Sequence, residues 1–89
     1  MAATLHDPRY RELITLLTQA RVDAGLSQDA LAQRLDRPQS FIGKIETLQR
    51  RVDALELFDI IEALELDPSD FARAATSRIG SKKRRPRRS

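Results

Sequence analysis

The 89-residue sequence contains no cysteine. That excludes disulfides and thiolate metal sites. A single histidine, His6, stands near the N-terminus and reads as a solvated terminal residue. No paired acids, nucleophile–base set or metal-ligand spacing accompanies it, so neither catalysis nor a metal or cofactor is expected. No apolar run approaches the roughly 20 residues of a membrane span. The opening MAATLHDPRY lacks the charged-then-apolar order of a signal peptide. The expectation is a cytoplasmic protein with no membrane partner. Strand patterns, internal repeats and glycine-rich phosphate loops are also missing. With loose ends set aside, roughly 70 residues remain to form one domain. A domain of that size buries only about 60% of its unfolded surface, which leaves a small stability margin.

What the sequence does have is charge, unevenly placed. The net charge of +3 hides a division. Residues 78–89, RIGSKKRRPRRS, carry seven basic residues and no acid. Residues 1–77 carry nine basic residues and all 13 acids, a net charge of −4. A segment so basic cannot bury apolar surface and repels itself, so a disordered tail is expected over 78–89. Residues 1–7 are expected to be a flexible N-terminus and 8–77 the folded domain. Within that domain Arg34, Arg37, Lys44, Arg50 and Arg51 cluster, and Asp53, Glu56, Asp59, Glu62, Glu65, Asp67 and Asp70 follow.

Periodicity and punctuation give an all-α fold of five short helices. Asp7-Pro8 opens the first, with an acceptor at the N-cap and a ring fixed at helical φ. Leu13, Ile14, Leu17 and Ala20 form its apolar stripe, and Gly25 stops it. Ser27 caps a second helix with Leu31, Ala32 and Leu35 inward. Asp36-Arg37-Pro38 breaks it, because Pro38 disfavours a helical Arg37. The third helix spans about Gln39 to Thr47. Asp53 and Glu56 form a capping-box pair at the start of a fourth, lined by Leu57, Phe58, Ile61 and Leu64. Asp67-Pro68 opens a fifth, with Phe71 and Ala75 inward.

The third helix carries the functional signal. At about 100° per residue, Gln39, Ser40, Gly43, Lys44 and Thr47 share an arc of roughly 140°. Phe41, Ile42 and Ile45 face the other way. The polar arc has amides, hydroxyls and an ammonium but no acid, unlike an ordinary solvated face with mixed charge. Only about three residues separate it from the second helix, too few for a relaxed helical hairpin. That connection implies a helix-turn-helix. Ala32 offers the small side chain a close crossing needs.

The run GLSQDALAQRLDRPQSFIGKIE resembles the Cro/CI-type (lambda-repressor-like, XRE-family) helix-turn-helix domain, over about residues 9–75. The resemblance implies double-stranded DNA as partner, with the third helix in the major groove. It places Gln39, Ser40 and Lys44 at base-facing positions. It places Gln28 at a backbone phosphate, and Arg50 and Arg51 at a phosphate-gripping pair. It makes Arg21 and Glu46 a buried ion pair between the first and third helices. Arg37, a nearby arginine, is a further candidate phosphate contact. The chemistry agrees: Gln39 can both donate to and accept from adenine, and Lys44 suits the acceptors of guanine. The lesser alternative is a plain helix-start residue for Gln28, a solvated loop for Arg50-Arg51 and two exposed charges for Arg21 and Glu46.

Three positions depart from the family's pattern. Asp36 stands where Gly is frequent in a left-handed turn, a region Asp tolerates better than most residues. Leu48 stands where Gly is common after the third helix, so the C-cap should suffer and Leu48 should turn to a partner. Gly43 replaces a frequent Ser and removes a potential DNA contact.

The expected function is a sequence-specific transcriptional regulator, a repressor, reading a palindromic operator as a homodimer. One short helix reads too few base pairs to be selective alone. No small-molecule effector is expected. In the tail, Lys82, Lys83, Arg84, Arg85, Arg87 and Arg88 are candidate DNA contacts. The rival reading is a helix-turn-helix interaction module, an antitoxin or adaptor, whose acidic fourth helix binds a basic partner.

Overall fold

The computed structural model describes residues 7–80. Five helices follow in order: α1 Pro8–Asp23, α2 Gln28–Arg34, α3 Gln39–Glu46, α4 Ala54–Ala63 and α5 Pro68–Gly80. There is no strand among the described residues.

Side-chain caps start four of the five. Asp7 accepts from the Arg9 N–H at 2.8 Å, with Pro8 as the first helical residue. The Ser27 hydroxyl accepts from the Ala30 N–H at 2.9 Å. Asp53 and Glu56 complete a capping box, with the Glu56 N–H donating to Asp53 and the Asp53 N–H donating back to Glu56. Asp67 accepts from the N–H groups of Ser69 and Asp70. Each cap satisfies donors that the first helical turn leaves without partners. Pro38 occupies the N-cap of α3 and offers no side-chain acceptor.

The first four helices also end alike. One residue past each C-cap is left-handed: Gly25 at φ 77°, Asp36 at 60°, Leu48 at 65° and Glu65 at 60°. The next N–H reaches back across the turn, from Leu26 to Arg21, Arg37 to Ala32, Gln49 to Lys44 and Leu66 to Ile61. This is the Schellman pattern, which normally recruits glycine. The cap that Leu48 should have spoiled therefore forms. Its side chain is half-buried against the core, flanking a depression it shares with Ile14 and Thr15 of α1. Packing offsets the backbone strain that a Cβ brings in this region.

The core is one cluster drawn from all five helices and the α3–α4 connection. Leu31, Ala32, Ile42, Ile45 and Ile60 are each at most 2% exposed. Ala32 has no exposed surface at all, as a close α2–α3 contact requires. Tyr10 is buried too, and its hydroxyl accepts from the Val52 N–H at 3.0 Å. That bond holds the α3–α4 connection against the start of α1. In α4 the inner stripe is Leu57, Ile60, Ile61 and Leu64. Phe58 was expected inward but is 58% exposed. The positions 57, 60, 61 and 64 follow the i, i+3, i+4, i+7 spacing of a single face, and Phe58 lies about 100° away from Leu57. Phe71 and Ala75 of α5 are buried. The helix continues to Gly80, so Arg78, Ile79 and Gly80 are helical although composition placed them in the tail. Arg78 pairs with Glu12 at 3.0 Å, and Ile79 packs on the core. His6 and the candidate contacts Lys82, Lys83, Arg84, Arg85, Arg87 and Arg88 lie outside the described residues.

Candidate nucleic-acid interface

The outer face of α3 presents Gln39, Ser40 and Lys44, all exposed. Phe41, Ile42 and Ile45 anchor the opposite face in the core. Anchor and display alternate because they occupy different sides of one eight-residue helix. Among the described residues Lys44 has no acidic partner, so its ammonium is available to a ligand.

Gln39 is not a loose side chain. Its Nε2 donates to Gln28 Oε1 at 2.9 Å. Gln28 Nε2 donates in turn to Glu46 Oε1 at 2.8 Å. Glu46 also receives Arg21 Nε at 2.7 Å and Arg21 Nη2 at 3.0 Å. The fork-shaped Arg21–Glu46 pair leaves its side chains only 12% and 11% exposed. Arg21 Nη1 donates to the Leu26 carbonyl at 2.7 Å, tying the same side chain to the loop before α2. Every buried side-chain polar atom among the described residues has a partner, as a buried ion pair requires if its loss of hydration is to be offset. Four residues from three helices thus form one chain of hydrogen bonds, with Gln39 at its exposed end. Gly43 lies beneath that end: a Cβ added there would stand 3.5 Å from Gln28 Oε1 and 3.6 Å from Gln39 Nε2.

The arginines divide. Arg37 lies over the Phe41 ring, 4.1 Å from its centroid, and Arg50 lies 4.9 Å from the same ring. Both reach Glu56 of α4. Arg50 makes two bonds to its carboxylate, each 2.8 Å, and Arg37 approaches to 3.6 Å. Arg50 Nη1 also donates to the Arg51 carbonyl. The Arg50 hydrogen bonds lead in holding the Glu56 carboxyl down to about 2, with the Asp53 N–H and the Arg37 charge adding to them against partial burial. The arrangement fixes Arg37 and Arg50 beside α3 and commits most of the Arg50 guanidinium internally. Arg51 lies 4.8 Å from the Tyr10 centroid. Among the described residues no acid pairs with it.

The structure therefore brings Gln28, Gln39, Arg21 and Glu46 together in one network, and Arg37 and Arg50 in a second. The side chains of Ser40, Lys44 and Arg51 stand outside both. Sequence reasoning overlooked Glu56 as the holder of Arg37 and Arg50. The available signal was a capping acid six residues beyond Arg50, which was read for its capping role alone. The Gln28–Gln39 contact, between residues eleven apart in the chain, left no local signal.

A helix-turn-helix family model matches residues 17–71, which span α2, α3, α4 and parts of the flanking helices. The chain belongs to the XRE family of helix-turn-helix proteins. Among solved structures it is similar to an XRE-family like protein from Pseudomonas syringae pv. tomato str. DC3000. The two share 40% identity over 84% of this chain and 92% of the other, with a TM-score of 0.77. No curated protein matches. This XRE-family chain is accordingly a DNA-binding transcription regulator, and the two networks tie its helix-turn-helix to α1 and α4. Among the described residues no helix is long and apolar enough to cross a membrane.

Proposed function

We propose that this XRE-family chain is a cytoplasmic repressor that binds a palindromic operator as a homodimer. In this reading α3 enters the major groove, and Gln39, Ser40 and Lys44 contact bases. Gln28, Arg37, Arg50 and Arg51 contact the flanking phosphates. Arg50 has the least capacity left for this, since Glu56 already holds it. The observation that carries the reading is the exposed, acid-free face of α3 with its leading amide pre-positioned by Gln28. Ordering a readout side chain before binding lowers the entropy lost on complex formation.

Two exposed apolar side chains on α4 support the homodimer. Leu55 is 74% and Phe58 58% exposed. Phe58 borders a shallow apolar groove shared with Ile61, Leu66 and Pro68. A two-fold contact needs one self-complementary patch, and a protruding ring beside an apolar groove provides both halves. Such a dimer would set two recognition helices about 34–36 Å apart, one duplex turn. The same patch, bordered by Asp59 and Glu62, also suits the second reading, an antitoxin or adaptor that binds a basic protein.

The candidate tail contacts Lys82 to Arg88 would continue from the last turn of α5. Ile79, near the end of α5, shares a surface depression with Arg9, Tyr10 and Arg51, so the last described turn lies beside a proposed phosphate contact. Selection of bound duplexes from a random pool tests the whole reading. Recovery of an inverted repeat is expected. Recovery of no sequence preference, together with a stable complex with another protein, would favour the interaction module.

A further inference from the structure

The chain of hydrogen bonds behind Gln39 has a direction. An ionised carboxylate only accepts. Glu46 therefore requires the amino end of the Gln28 amide to face it, as it does at 2.8 Å. That leaves Gln28 Oε1 turned toward Gln39, where it in turn requires an N–H, supplied by Gln39 Nε2 at 2.9 Å. Reversing either amide would set two acceptors or two donors against each other. Gln39 is left with its Oε1 and one remaining N–H for an outside partner.

That pair of groups is an acceptor beside a donor. Adenine presents an N6 donor beside its N7 acceptor in the major groove, whereas guanine presents two acceptors, O6 and N7. An amide free to offer both of its N–H groups could address guanine. Held as it is, Gln39 matches adenine and sets its oxygen against guanine O6. Arg21 maintains the arrangement by holding both Glu46 oxygens at 2.7 and 3.0 Å.

We propose that Glu46 is a specificity-determining positioning residue: through Gln28 it fixes the polarity of the Gln39 amide and so selects adenine over guanine. Glu46 does this without touching DNA. The proposal rests on α3 reading bases in the major groove.

The test uses the full chain and a duplex chosen by selection from a random pool. Gln39→Ala first identifies the base pair Gln39 reads, as the one position whose preference disappears. If no preference disappears, the groove reading itself fails, which separates that failure from failure of the relay. At the identified position the unaltered protein should prefer adenine over guanine by about 5- to 150-fold. In Glu46→Gln the new amide can donate to Gln28 and permit the reversed relay. The adenine preference should then fall at least fivefold at that position, while the preference attributed to Lys44 persists. Because Glu46→Gln leaves the Arg21 charge unpaired, the double variant Arg21→Met with Glu46→Leu provides a second test. It replaces the buried pair with apolar groups, a change that can preserve stability, and it too releases Gln28. A thermal melt establishes that each variant is folded. A folded variant that retains the full adenine preference overturns the proposal. So does one that loses preference equally at every position, because that is the effect of a structural role alone.

Discussion

Glu56 carries a load that a single substitution can measure. Glu56→Gln preserves the capping box, since glutamine also accepts from the N-cap N–H. It removes the negative charge that two arginines share. The Glu56 carboxyl is held at about 2 against an ordinary value of 4.5. At about 1.4 kcal/mol per pH unit, that difference corresponds to roughly 3 kcal/mol. Arg50 is 38% exposed on its side chain, so solvent screening trims the expected loss to about 2–3 kcal/mol. A domain of this size has only about 4–10 kcal/mol in total. The melting temperature at pH 7 should fall by about 10–20 °C. The sign of the pH dependence is also fixed. Because the folded-state value lies below the unfolded one, the unfolded chain binds more protons between about 4.5 and 2. The contribution is complete above that window and disappears as pH falls through it. Urea unfolding at pH 7 and pH 3 should therefore show the gap between the two proteins shrinking to about half. A gap below about 0.5 kcal/mol at pH 7, or one of equal size at both pH values, would refute the role assigned to Glu56. The variant should also bind random DNA more tightly, because Arg50 is released and one negative charge is gone.

Four further outcomes are expected. Gln39→Ala or Lys44→Ala should weaken operator binding by about 1–3 kcal/mol and relax preference at one or two positions per half-site, whereas Arg51→Ala should weaken operator and random duplexes alike; identical behaviour of the two classes would show that α3 does not read bases. Leu55→Ser with Phe58→Ser should leave the melting temperature within a few degrees while light scattering reports a monomer and footprinting a single protected half-site; an undisturbed dimer would place the interface elsewhere. Deleting residues 81–89 should flatten the dependence of log affinity on log salt by about 0.9 for each phosphate the tail neutralises, and an unchanged slope would remove the tail from the DNA contact. Glu65→Gly should raise stability by about 0.5–1 kcal/mol, since a left-handed L-residue costs about 1–2 kcal/mol and the added freedom of glycine when unfolded offsets part of the gain; a lower melting temperature would show that Glu65 is unstrained.

The helices were legible in the sequence because their signals are local. Asp7-Pro8, Ser27, Asp53 with Glu56, and Asp67-Pro68 each lie within three residues of the groups they satisfy. The left-handed turns were less legible. Gly25 announces one, but Asp36, Leu48 and Glu65 occupy the same conformation, and two of these three side chains carry no conformational signal for it. The reach-back hydrogen bond and the apolar contact after each helix override the residue's own preference. Phe58 failed for a related reason. The five large apolar residues in the segment ALELFDII fit more than one helical phase, and only the packing of α4 on its neighbours decides that Ile60 turns inward and Phe58 outward.

The interface residues depended on a different kind of information. Family pattern named Gln28, Gln39, Arg21 and Glu46, but as separate roles: one for phosphate, one for a base, two for a buried pair. The fold joins them because α2 and α3 pack across Ala32, bringing the first residue of α2 beside the first residue of α3 and the last residue of α3 beneath both. Hydrogen-bond polarity then does what spacing cannot. An acceptor-only group at one end of a run of amides determines which atom appears at the other end, so a part-buried acid such as Glu46 would influence the choice of base without touching DNA. Arg37 and Arg50 show the same logic with charge. Their positions beside α3 marked them as phosphate contacts, yet the single carboxylate of Glu56 holds both and the Phe41 ring lies against both. The helix that would enter the groove is thus held in place by the very side chains whose charge attracts the duplex. Loss of Glu56 should therefore separate two properties that the intact protein couples: affinity for any DNA should rise, and the stability that keeps α3 in register should fall.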